Sequence, residues 1–154
     1  MKLNSDLREF IKLLNSRKIR YLVVGGHAVA FHGYPRFTAD IDFLIKPSPE
    51  NAGLVAEAIK DFGFGDQPSL RDQLTQSGKI LQLGRQPNRI DLITSISGLD
   101  FDEAWEDSVA GELDGLPVRF PSRDSLLRNK RASGRAKDLA DVEELERVAQ
   151  KESG

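Results

Sequence analysis

Asp40-Ile41-Asp42-Phe43-Leu44-Ile45, preceded by the apolar run Leu22-Val23-Val24 and its terminal pair Gly25-Gly26, decides the fold of this chain. In a strand, residues i and i+2 share a face. Asp40 and Asp42 therefore stand side by side, while Ile41, Phe43 and Ile45 point the other way into a core. Neighbouring carboxylates repel unless a cation lies between them, and Mg²⁺ is the hard, oxygen-seeking candidate. A glycine pair between a strand and a helix lets a phosphate approach the backbone, and the helix turns its free N–H groups toward the anion. Each half also has a plain reading, a tight turn and a charged solvent-facing edge. Together they point to chemistry on a nucleotide. Gly25-Gly26-His27 is neither a P-loop, since no Gly-Lys-Ser/Thr follows, nor a dinucleotide fingerprint.

Outward from this stretch, the periodicity predicts an amphipathic helix over residues 4–16, with Leu7, Phe10, Ile11 and Leu14 on one face. Ile19 to Val24 reads as a buried strand, His27 to His32 as a short helix closed by Gly33, and Asp40 to Ile45 as the next strand. Ser48-Pro49-Glu50 starts a helix running to about Phe62, with a serine cap and proline in the first turn. Residues 63–77 read as a surface connection. Lys79–Leu83 and Arg89–Thr94 form a hairpin, Phe101–Ser108 a short helix. Val109–Leu113 and Leu116–Phe120 flank Asp114-Gly115, a strong two-residue turn signal. Helices over 122–131 and 135–150 close the chain. The pattern predicts an α/β (α+β) fold: a mixed sheet with flanking helices in one domain, its core over about 19–121 and its C-terminal helices over about 122–150.

Asp91 lies inside the apolar strand Ile90-Asp91-Leu92-Ile93, where an unpaired buried charge is costly. A metal held by Asp40, Asp42 and Asp91 answers that need. Between Arg119 and Lys137 seven Lys or Arg residues face one acid, Asp124. Such runs are usually solvated surface. Lys130, however, follows Leu126 and Leu127 at helical spacing and projects near the apolar face. Arg135 and Lys137 open the last helix at its positive end, where a cation needs an anion nearby. Phosphate would supply one; Asp138 and Asp141 are the local alternative, Asp138 pointing inward and Asp141 pairing with Lys137. His27 and His32 do not share a helical face well, and read as structural or site-lining groups rather than zinc ligands.

The composition sets bounds on these readings. A chain of 154 residues is long enough to bury about 70% of its unfolded surface. Hydrophobic residues at 39% and charged residues at 30% are ordinary for a globular protein. The absence of cysteine removes disulfides, thiolate metal sites and thiol nucleophiles, and fits a cytoplasmic location. The first 18 residues alternate charged and apolar, so they are neither a signal peptide nor a membrane span. A net charge of −2 argues against sequence-blind nucleic-acid binding over the whole surface, while leaving room for a local basic patch.

These residues resemble the nucleotidyltransferase superfamily of the DNA polymerase β type: an apolar strand, Gly-Gly, a spacer, Asp-x-Asp between apolar residues, and a later carboxylate, here Asp91. Gly25-Gly26-His27-Ala28, His32-Gly33-Tyr34, Arg36, Thr38 and Asp40-Ile41-Asp42, with Lys130, Gly134-Arg135-Ala136-Lys137-Asp138 and Asp141, look like the small bacterial subgroup that includes abortive-infection toxins. The resemblance spans residues 21–145. It implies transfer of a nucleoside monophosphate from an NTP to an acceptor with release of pyrophosphate. Asp40, Asp42 and Asp91 would be catalytic and would hold Mg²⁺, two ions by the family pattern, with Asp91 on the acceptor side. Gly25 and Gly26 would cradle the outer phosphates; Arg36, Lys130 and Lys137 would neutralise phosphate charge; Thr38 would fix its loop. The implied acceptor is RNA, tRNA among the candidates, or a protein side chain, with an antitoxin protein as a further partner and no membrane. The rival readings are a small-molecule transferase of the antibiotic-modifying kind and a catalytically idle nucleotide- or partner-binding domain.

Overall fold

The computed structural model describes residues 3–35, 40–65, 67–84 and 89–153. Helix α1 (Ser5–Ser16) is capped by Asn4, whose side chain accepts the Leu7 N–H. It buries Phe10, Ile11 and Leu14 and leads into β1 (Tyr21–Val24). Then come α2 (Gly26–Phe31), β2 (Ile41–Ile45) and α3 (Pro49–Ile59), the last with Ser48 as its cap. A wider helical turn over Lys60–Phe64 extends α3 until Gly63, at φ 106°, breaks the helical geometry. Next are α4 (Leu70–Gln73), β3 (Ile80–Leu83), β4 (Ile90–Ile93), α5 (Phe101–Glu106), β5 (Val109–Leu113) and β6 (Leu116–Phe120). Helices α6 (Arg123–Ser133) and α7 (Ala136–Ser153) follow.

Among the described residues, four strands form a mixed sheet in the order β1-β2-β4-β3. β1 runs antiparallel to β2, β2 parallel to β4, and β3 antiparallel to β4. The hairpin β5–β6 forms a sheet of its own rather than extending this one, and β6 packs beside β1. Its turn residues Asp114 (φ 50°) and Gly115 (φ 80°) both take the left-handed conformation that a tight two-residue hairpin requires. The expected surface connection over 63–77 contributes more than expected: α4 and the residue after it bury Leu70 and Leu74 in the core.

The strand alternation sorts the two faces of the mixed sheet. Tyr21, Val23, Ile41, Phe43, Ile45, Ile90 and Leu92 enter one core with side chains from α1, α2, α3, the hairpin, α6 and α7. Phe10, Tyr21 and Phe43 meet there as tilted and edge-on rings. The opposite face carries Leu22, Val24 and Leu44, which α5 covers with Phe101, Ala104 and Trp105. α5 covers only part of this face. Asp42 and Asp91 stand on the same face, at the end where β1 stops.

Candidate active site

The register places the carboxylates. Val24 is the partner of Asp42 across β1–β2, and Asp42 is the partner of Asp91 across the parallel pair β2–β4. Two aspartates are therefore direct neighbours on adjacent strands, immediately beside the point where β1 ends in Gly25. Asp40 lies just before β2, half-buried.

Gly25 is shaped by this neighbour. Its φ of 71° and ψ of −149° lie in a region that side chains rarely adopt. A Cβ at Gly25 would overlap Asp42 Oδ2 and lie 3.1 Å from Asp42 Cγ. The Gly25 carbonyl then accepts the Ala28 and Val29 N–H groups at 3.1 Å each, starting α2. Gly26 is the first residue of that helix.

Arg89 supplies the local positive charge, a role the sequence reading missed. Its guanidinium reaches Asp40 Oδ2 at 2.9 Å and Asp91 Oδ1 at 3.0 Å, bridging the two carboxylates. The signal was present: Arg89-Ile90-Asp91 alternates, so Arg89 and Asp91 share a face. Asp42 receives less relief. Burial, the Asp91 carboxylate, a hydrogen bond shared with it and the charge of Asp40 lift Asp42 to about 6, against the pull of Arg89.

Among the described residues no three His, Cys, Asp or Glu side chains form a ready-made metal cage. Arg89 joins Asp40 to Asp91 where such a cage would close. The chemistry of the donors nevertheless suits a hard divalent cation: Asp42 and Asp91 offer carboxylate oxygens on adjacent strands, and the mutual charge that lifts Asp42 is what a cation would relieve.

Beside Gly25 and Asp42 opens a cavity of about 410 Å³, walled by Ile93 and Ile96 on one side and by Lys130, Ser133, Arg135 and Asp138 on the other. Lys130 is buried there, as its helical position predicted, and its charge is already matched. Its Nζ lies 3.2 Å from Asp138 Oδ1 and 3.1 Å from Asp141 Oδ2. Arg135 Nε donates to Asp138 Oδ2 at 2.7 Å, and the Ser133 hydroxyl donates to the same oxygen. Burial by itself would raise the Asp138 carboxyl, but the hydrogen bonds from Ser133, Arg135 and Lys130 outweigh it and hold the group at about 2. The local alternative for these charges is thus the observed one, with Lys130 rather than Lys137 as the partner of Asp141. Lys137 is exposed on the first turn of α7. Arg36 and Thr38 lie outside the described residues. His32 Nε2 sits 2.7 Å from the Pro121 carbonyl and ties α2 to the start of α6, a structural role. His27 is buried, which lowers its pKa and keeps it neutral.

No family model and no curated protein matches the chain. Solved structures do. ANT(2")-Ia, in complex with adenylyl-2"-tobramycin, superposes with a TM-score of 0.56 at 15% identity, over 96% of this chain and 87% of that one. The lincosamide antibiotic adenylyltransferase LnuA, lincomycin-bound, gives 0.56 at 16% identity, over 95% and 98%. An antigenic nucleotidyltransferase-like protein from Paracoccidioides brasiliensis gives 0.52 at 18% identity, over 89% and 72%. The fold is that of the nucleotidyltransferases. In this chain one end of the sheet brings together Asp42, Asp91 and Gly25, three of the residues the sequence singled out. No helix among the described residues is long and apolar enough to cross a membrane.

Proposed function

We propose that this protein transfers a nucleoside monophosphate from an NTP to an acceptor hydroxyl and releases pyrophosphate. The observation that carries this reading is the pairing of Asp42 with Asp91 beside the glycine turn at Gly25. The acceptor oxygen attacks the α-phosphorus, the bond to the bridging oxygen breaks, and pyrophosphate leaves with that electron pair. Asp91 accepts the hydroxyl proton. Asp40, Asp42 and Asp91 would hold Mg²⁺, which when bound neutralises charge on the attacking and leaving oxygens. Gly25 and Gly26 offer backbone that the outer phosphates can approach closely. Arg36, Lys130 and Lys137 would neutralise phosphate charge, Lys130 from within its aspartate-paired wall.

For the acceptor, the sequence resemblance favours RNA or a protein side chain, in a toxin held in check by an antitoxin in the cytoplasm. A second reading, a small-molecule hydroxyl, is favoured by the likeness to ANT(2")-Ia and LnuA, which spans nearly all of this chain. Incubation with each labelled NTP, Mg²⁺ and, in separate tubes, tRNA, a protein extract, an aminoglycoside and a lincosamide discriminates among them. Label on one acceptor class names the substrate. Asp42→Asn should cut transfer by about a hundredfold or more, a loss of about 3 kcal/mol of transition-state stabilisation. Equal transfer by the variant and the parent would sink the assignment.

A further inference from the structure

A second pocket, of about 430 Å³, lies at the other end of β1, between the close of α1, the hairpin β5–β6 and Trp105 of α5. Its volume is that of a small-molecule site. Ile19 and Val118 are among its apolar lining, and Lys18, Arg20 and Arg119 supply its charge. No Asp or Glu lines it, although the chain as a whole carries a net charge of −2. Neither Lys18 nor Arg20 has a carboxylate partner among the described residues.

The cations are arranged around the indole. The guanidinium carbons of Arg20 and Arg119 lie 5.3 and 5.7 Å from the Trp105 ring centroid. Arg119 is fixed by Ser108, donating from Nε to its hydroxyl at 2.7 Å and from Nη2 to its carbonyl at 2.9 Å. Phe101 stacks on Trp105 at 5.9 Å and steadies the ring from α5. Lys18 sits at φ 55°, a left-handed conformation usually left to glycine after a helix. Its N–H closes α1 on the Asn15 carbonyl at 3.1 Å, which holds this lysine at the pocket. Fixed guanidinium groups bind phosphate oxygens in pairs. Bases stack on guanidinium planes as well as on aromatic rings.

We infer that this pocket binds a phosphorylated nucleoside, either as a free nucleotide or as one unit of a single-stranded RNA. The phosphate meets Arg20, Arg119 and Lys18, and the base lies against the guanidinium–indole layer over the apolar lining. The site is distinct from the Asp42–Asp91 end of the sheet and does not depend on the transfer reading.

Trp105 is the chain's only tryptophan, so its emission reports on this pocket directly. The full chain is titrated at low salt, without Mg²⁺, with AMP and separately with a short single-stranded oligouridylate, while Trp105 fluorescence is followed. A saturable change is expected. Arg20→Ala and Lys18→Glu, both at exposed positions, should each weaken binding about tenfold or more with an unchanged circular dichroism spectrum, whereas Asp42→Asn should bind as the parent does. The oligonucleotide binding at least about tenfold more tightly than AMP identifies an RNA strand, and equal affinities per nucleotide identify the free nucleotide. The proposal is overturned by the absence of a saturable change. It is equally overturned if both pocket variants keep the parent affinity, or if binding is lost in Asp42→Asn and retained in Arg20→Ala.

Discussion

Asp42 is the residue on which charge, space and pairing converge. Its folded-state pKa of about 6 lies above the ordinary aspartate value near 3.9. The folded protein therefore holds this proton more tightly than the unfolded chain does. The resulting stability is present in full below about pH 4 and is lost as pH rises through about 6. Asp42→Asn removes the charge, so in chelator it should raise stability at pH 7.5 by on the order of 1–2 kcal/mol after allowance for solvent screening. At pH 4 the difference should vanish; urea midpoints at the two pH values measure both. Gly25 is packed against the same carboxylate. Gly25→Ala combines backbone strain with overlap on Asp42 and should cost about 2–4 kcal/mol. Thermal melts of Gly25→Ala, Asp42→Ala and the double variant check this, since removing the Asp42 carboxylate should recover only the overlap share.

At this scale the sequence was legible where the information is local. Alternation along one strand put Ile41, Phe43 and Ile45 in the core and Asp42 on the other face. That Asp42 faces Asp91 across a parallel pair is a register between strands almost fifty residues apart, and nothing in either strand encodes it. Arg89 is illegible for a related reason: its value lies in reaching Asp40 on another strand end as well as its own neighbour Asp91.

Among the elements, α6 and α7 are joined through a buried ionic network rather than an apolar seam alone. Lys130 is 6% exposed, Asp138 1% and Asp141 2%, so none of these charges can turn to water if a partner is lost. Lys130→Met should therefore destabilise by about 3–5 kcal/mol. Asp138 sets the acid limit of the network. Its pKa is depressed to about 2, so its contribution is present above about pH 4 and is lost as pH falls toward 2. The deficit of Asp138→Asn relative to the parent should shrink over that window, read from urea midpoints at successive pH values. The helical spacing showed that Lys130 turns inward. It could not choose between phosphate and aspartate as its partner, because the answer depends on how α7 folds back past Gly134, a left-handed helix cap. α4 has no sequence signature, because two buried leucines in a short polar segment make no period.

For the whole molecule, the decisive fact is that the hairpin has no core of its own. Leu113, Leu116, Val118 and Phe120 enter the same cluster as Phe10, Phe43 and Leu145. Asp114, at the hairpin tip, is tied to the first helix by Arg8 at 2.9 Å and accepts the Leu3 N–H at 3.0 Å. Gly33 and Val148 meet so closely that a Cβ on the glycine would lie 2.7 Å from the valine Cγ1, which ties the last helix back to the end of α2. The described residues should then unfold together. Urea transitions followed by Trp105 emission and by far-ultraviolet circular dichroism should coincide, and separated midpoints would show that the hairpin melts alone.

Arg89 gives the molecule one more property. Because a guanidinium already bridges Asp40 and Asp91, any ion entering there exchanges with a resident counter-charge instead of filling a hole. Stripping such an ion away would return the arginine to its post and leave the carboxylates partnered. Loading of an ion would then be a reversible competition, its concentration set as much by the grip of one arginine as by the aspartates themselves.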